Sequence, residues 1–176
     1  MLTVKPASES VSDGTPDFSA INALGKSQYA VLETDISGIL TQPCTIAVVG
    51  LSPKPQRASF EVASYMQANG YRIIPVNPNA GVAQILGEKV YASLLEASQA
   101  ENIDVVNCFR NSNDIPPIVD EAIAIGAKIV WMQLGVSHAG AAAKAELAGL
   151  KVVQDRCLKI DHRTHQAAIK AAMKRD

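Results

Sequence analysis

Beyond residue 44 the chain alternates short apolar runs, rich in β-branched residues, with stretches whose apolar positions recur at helical spacing. The runs are TIAVVG (45–50), YRIIPV (71–76), IDVVNCF (103–109), AKIVW (127–131) and LKVVQ (150–154). Each is apolar at successive positions rather than at every second one, as strands covered on both faces are. They recur at about the length of a strand-plus-helix unit, ~30 residues, so a parallel sheet with helices on both sides is expected. SFEVASYMQAN (59–69) reads as a helix with Ser59 as its cap, Glu61 near the positive end of its dipole and Gly70 as a left-handed stop. IPPIVDEAIAI (115–125) has two prolines in its first turn, a stripe at Ile118, Ala122 and Ile125, and Gly126 as terminator; AGAAAKAELA (139–148) ends at Gly149 in the same way. A short strand near Lys89–Tyr91 and a helix over Ser93–Ala97 complete a six-stranded, doubly wound α/β sheet in the order 3-2-1-4-5-6.

The first ~18 residues mix Ser, Thr, Pro, Gly and Asp with few large apolar groups, too little to offset ordering entropy by burial. A mobile segment is expected there, followed by an edge helix around Tyr29–Leu40 whose apolar positions partly follow helical spacing. The whole chain, 176 residues with 16 Lys+Arg against 17 Asp+Glu, fits one domain and carries no basic field for holding nucleic acid. Charge is unevenly placed: residues 1–40 hold two basic and five acidic side chains, residues 151–176 seven basic and three acidic. The sequence shows no apolar run of ~20 residues for a membrane span and no signal-peptide pattern at its start, so a cytoplasmic protein is expected. Cys44, Cys108 and Cys157 form no C-x-x-C pair and read as reduced thiols.

In a sheet of this order a ligand sits beyond the carboxyl ends of the strands where the order reverses, here between the first strand and the strand ending at Phe109. The loop after the first strand, Gly50-Leu51-Ser52-Pro53-Lys54-Pro55-Gln56-Arg57-Ala58-Ser59, lacks the second and third glycines of a dinucleotide fingerprint, and its prolines remove amide donors. In compensation, residues 43–60 hold Lys54 and Arg57 and no carboxylate, so side-chain cations and helix-start amides make an anion site. Solvated loop charges are the plainer alternative. The second strand ends in Asn77-Pro78 rather than the carboxylate that holds the ribose of NAD; Val76-Asn77-Pro78-Asn79 also reads as a simple turn.

GLSPKPQRAS, GYRIIPVNP, ILGEKVYASL, IDVVNCFR, GAKIVWMQLGV and GLKVVQDRC, in that order, resemble the small CoA-binding domain proteins of bacteria and archaea. That family is similar to the nucleotide-binding domain of the succinyl-CoA synthetase alpha chain. The likeness runs from about Ile36 to His162, with residues 1–30 as an arm outside it and 31–176 as the expected domain. It implies a Rossmann-like sheet binding coenzyme A across the switch point. By position, Gly50, Ser52, Pro53, Lys54, Arg57 and Ser59 border the phosphates and Asn77 and Pro78 the adenosine end. Phe109 and Arg110 lie along the nucleotide or pantetheine arm, with Met132, Gln133 and Leu134 farther along it. The coenzyme's pyrophosphate and ribose 3′-phosphate suit cations and a non-acidic second-strand end. The synthetase's catalytic histidine belongs to a second domain, for which a chain ending at Asp176 has no length, so ligase activity is not expected.

Other chemistry is thinly represented. Asp161, His162 and His165 share a helical face but lack a further metal ligand, and no G-x-S-x-G elbow is present. Cys157, beside Arg156 and Lys159, sits where a thiolate is stabilised and where exchange with the CoA thiol can be imagined; an unreactive helix-start cysteine is the alternative. Without an oriented nucleophile and base, a binding protein for CoA or an acyl-CoA is expected rather than an enzyme, as sensor, carrier or accessory subunit. The alternatives are a nicotinamide-dependent oxidoreductase or an acyl-CoA ligase component that needs a partner chain; a protein partner or a second copy stays open.

Overall fold

The computed structural model describes Ile36, residues 38–40 and residues 44–174. Five parallel strands form the central sheet: β1 (Thr45–Val49), β2 (Arg72–Val76), β5 (Val105–Cys108), β6 (Ile129–Met132) and β7 (Lys151–Val153), in the order β2-β1-β5-β6-β7. The helices are α1 (Ala58–Ala68), α2 (Leu94–Ser98), α3 (Ile115–Ala124), α4 (Ala139–Leu147) and α5 (Leu158–Met173). All five strand runs named from the sequence are strands, and the order reverses between β1 and β5 as expected. Of the expected edge helix, Ile36 and residues 38–39 are helical; the rest of it, and residues 1–30, lie outside the described residues.

The sixth strand is reduced to a single parallel bridge between Val76 and Tyr91. Tyr91 N–H donates to the Pro75 carbonyl at 2.9 Å and Asn77 N–H to the Tyr91 carbonyl at 2.9 Å. One residue earlier the ladder requires a donor from position 75, and proline has none. The preceding residues instead form a small hairpin, β3 (Gln84–Ile85) with β4 (Glu88–Lys89), around Leu86 and Gly87, whose φ values of 55° and 79° give the paired positive φ of a tight hairpin turn.

Alternation along the strands divides the core into two layers. Ala47, Val106, Cys108, Val130 and Met132 face α2, α3 and α4; Ile46, Val48, Val105, Trp131 and Val153 face α1 and α5. On α3 the inward residues are Ile115, Val119 and Ala122, with Ile118 and Ile125 partly buried, a stripe turned slightly from the one expected. Trp131 is fully buried and its indole N–H donates to the Arg156 carbonyl at 2.8 Å, tying β6 to the approach of α5. Among the described residues no helix is long and apolar enough to cross a membrane.

Polar groups hold the start of α5 and, through Tyr65 and His162, join it to α1. Asp161 receives both Nε and Nη2 of Arg156, at 2.8 and 2.7 Å, and His162 Nδ1 lies 3.0 Å from the Tyr65 hydroxyl with its ring edge-on to Tyr65 and Tyr71. Burial first, and the charge of Lys170 second, hold the His162 pKa below its ordinary 6.5. The unfolded chain therefore takes up a proton near pH 6.5 that the native state refuses, so this contribution is complete above that pH and shrinks as pH falls through it toward the native value. The melting temperature is expected to fall between pH 7 and pH 5 by more in the wild type than in His162→Gln; parallel curves for the two proteins contradict this.

Candidate functional site

At the end of β1 the chain turns at Gly50, whose φ of +86° is left-handed, and its N–H donates to the Val76 carbonyl at 2.8 Å. From the other side of the switch, Phe109 N–H reaches the Val49 carbonyl at 2.9 Å. A Cβ on Gly50 would fall well inside van der Waals contact of the Phe109 carbonyl oxygen and 3.0 Å from Arg110 Cδ. Backbone-to-backbone approach at the switch point thus depends on a hydrogen in place of a side chain.

The following loop is stitched by its serines. Ser59 does not cap α1; it is buried, and its Oγ accepts from Ser52 N–H at 3.0 Å, while Ser52 Oγ accepts from Lys54 N–H at 3.2 Å. The N-cap is Arg57, in extended conformation and without a side-chain cap bond. The first amides of α1 are therefore uncovered by any capping side chain, next to an exposed guanidinium that has no ion-pair partner among the described residues.

Three hollows meet around this contact. Arg57, Phe109 and Arg110 border a cleft of about 800 Å³ on the α1/α5 side of the sheet, with Gln133 and Leu134 from the end of β6 and Cys157 and Ile160 from the start of α5. A smaller one of about 330 Å³ lies between Gly50, Ser52, Ser59 and Phe109. A third, also about 330 Å³, opens toward α2 and α3, bordered by Gly50, Asn77, Pro78 and Arg110. Arg57 and Phe109 are common to the first two, Gly50 to the last two.

The site residues expected from the sequence are placed unequally. Gly50, Ser52, Arg57, Ser59, Asn77, Pro78, Phe109, Arg110, Gln133 and Leu134 border the hollows. Lys54 is exposed and Pro53 partly so, and neither borders them. Met132 departs from expectation: strand alternation turns it into the α2/α3/α4 layer, where it is fully buried. Asn77 is occupied in bracing, its Nδ2 donating to the Leu51 carbonyl at 2.9 Å and its Oδ1 accepting from Asn79 N–H at 2.9 Å. Arg110 Nη2 lies 3.4 Å from Asp114 Oδ2, one turn along, which partly neutralises it.

Sequence reasoning missed Val62, Val136 and Ile160, which give the cleft apolar wall, and Asn107 beneath it. Asn107 is fully buried in β5; its Oδ1 accepts from Gln133 Nε2 at 2.7 Å and its Nδ2 has no partner among the described residues. An orphaned buried amide donor costs roughly 1–3 kcal/mol. The signal was in the sequence, a single amide within an otherwise apolar strand run.

The thiols elsewhere are inert. Burial pushes Cys108 up to about 12, and burial with the charge of Asp104 does the same for Cys44. Cys44 belongs to a hollow of about 740 Å³ at the opposite, amino end of the sheet, floored by the Lys128–Asp104 ion pair at 2.7 Å. Among the described residues no three His, Cys, Asp or Glu side chains are placed to hold a metal ion; Asp161 and His162 are engaged by Arg156 and Tyr65.

Residues 44–163 match the model of a family described as CoA binding domain. The chain is 38% identical over 130 residues, 74% of its length and 93% of the relative's, to the uncharacterized protein YneT of Bacillus subtilis. It is 30% identical over 95 residues to the alpha subunit of acetate–CoA ligase (ADP-forming) I of Pyrococcus furiosus, covering 52% of this chain but 20% of that one. Among solved structures, a hypothetical protein from Pyrococcus horikoshii superposes with a TM-score of 0.74 at 37% identity, covering 79% of this chain and 95% of the other. A Thermus thermophilus protein does so with 0.71 at 33%, covering 76% and 98%.

Proposed function

The chain belongs to the CoA binding domain family, and from that premise we propose that it binds coenzyme A or an acyl-CoA across the β1/β5 switch point. The observation that carries this reading is the junction at Gly50 and Phe109: three hollows with shared lining residues lie between the uncapped start of α1, where Arg57 has no ion-pair partner among the described residues, and the apolar wall at Leu134 and Ile160. Coenzyme A has matching parts, a pyrophosphate and 3′-phosphate for the cationic end and an uncharged pantetheine arm for the apolar one. Asn77, engaged through both ends of its amide, offers no carboxylate to ribose hydroxyls, which supports CoA over NAD.

The ligase relative is matched over 20% of its length, so its ligase activity is not carried over to this chain. Binding, delivery or sensing of the coenzyme, alone or beside a partner chain, is the activity proposed. A thermal-shift panel with CoA, acetyl-CoA, NAD, NADP and ATP tests it, since a ligand at 100 times its Kd adds about 2.7 kcal/mol to the native state. For a chain of this size that is a rise of roughly 5–10 °C. A rise with CoA or acetyl-CoA and none with NAD is expected; the reverse pattern overturns the proposal.

A further inference from the structure

Asn107 is the one polar residue of β5, whose other members Val105, Val106 and Cys108 are buried and apolar. In register with Val48 on β1 and Trp131 on β6, it faces the α1/α5 layer, the side on which the large cleft lies. Packing gives no reason for an amide there, since its Nδ2 is left without a partner among the described residues. What the amide does accomplish is to hold Gln133, 4% exposed yet bordering the cleft, by its Nε2. With one Nε2 hydrogen held by Asn107, the orientation of the amide is set, and Gln133 Oε1 remains an acceptor without a hydrogen bond among the described residues. A free glutamine would exchange its oxygen and nitrogen ends as it rotates, whereas the bond to Asn107 fixes where the oxygen of this one lies.

An acceptor in the cleft repels phosphate oxygens and selects N–H donors. On coenzyme A the pantetheine arm supplies two amide N–H groups. We infer that Asn107 is a positioning residue that fixes Gln133 so that its Oε1 accepts an amide N–H of the pantetheine arm, an inference that rests on the CoA reading above.

Titration calorimetry with CoA and with adenosine 3′,5′-bisphosphate, the coenzyme's handle without its arm, tests it on the full chain. Asn107→Leu is expected to weaken CoA about tenfold while leaving bisphosphate affinity unchanged. Gln133→Leu loses the same factor, and the double variant loses no more, because both act through one hydrogen bond. Should Leu lower the melting temperature, Asn107→Val repeats the measurement with a residue β5 already carries. Unchanged CoA affinity in the Asn107 variants, or equal losses for both ligands, overturns the inference and leaves the CoA reading standing; a wild type that binds no CoA overturns both.

Discussion

Gly50→Ala lowers the melting temperature by on the order of 10 °C, whereas Gly70→Ala lowers it by a few degrees. Both glycines have left-handed φ, +86° and +91°, so both substitutions carry the conformational cost of a side chain there, about 1–2 kcal/mol. Gly70 has open space where a Cβ would go. At Gly50 the new methyl meets the Phe109 carbonyl oxygen, and backbone cannot step aside as a side chain can. Overpacking of this kind adds typically 1–3 kcal/mol, and at about 2–4 °C per kcal/mol the sum reaches the stated size. The clash also wedges apart the first loop and the switch segment, so CoA protection in the thermal-shift panel is expected to disappear in Gly50→Ala and to persist in Gly70→Ala. Equal melting temperatures for the two variants would show that the β1/β5 approach has slack to spare.

Arg57→Ala weakens CoA by about 10–100-fold, the value of one or two hydrogen bonds to a charged group. Arg110→Ala costs less, because Asp114 at 3.4 Å already neutralises part of that charge. The loss at Arg57 should shrink as salt rises from 0.05 to 0.5 M, since the side chain is exposed and its field is screened. Dephospho-CoA assigns the contact: if Arg57 holds the 3′-phosphate, the variant loses affinity for CoA and little for dephospho-CoA, while equal losses move the contact to the pyrophosphate. Affinity for CoA untouched by Arg57→Ala removes the cationic loop from the binding site.

Local rules read this chain well wherever the deciding interaction is itself local. The strands announce themselves as doubly apolar runs, and Gly70, Gly126 and Gly149 end their helices with φ of +91°, +70° and +90° because only glycine takes that conformation without strain. Ser59 was misread for the opposite reason. A serine at a helix start is ordinarily a cap, but here the Ser52 amide, seven residues earlier, folds back and takes its hydroxyl. Met132 was misread because a motif carried over by position says which residues are near a site and not which face of a strand each one occupies.

The sequence by itself determined the α/β class, the strand order with its switch point, and the family, because hydrophobic period, glycine geometry and ordered motifs are properties of short segments. Tertiary structure alone decided that Pro75 cuts the sixth strand to one bridge, that Gly50 is pressed against Phe109, and that Asn107 grips Gln133 beneath the cleft. Those outcomes depend on which groups meet across strands distant in the chain, and such meetings are fixed by register and packing of the whole sheet.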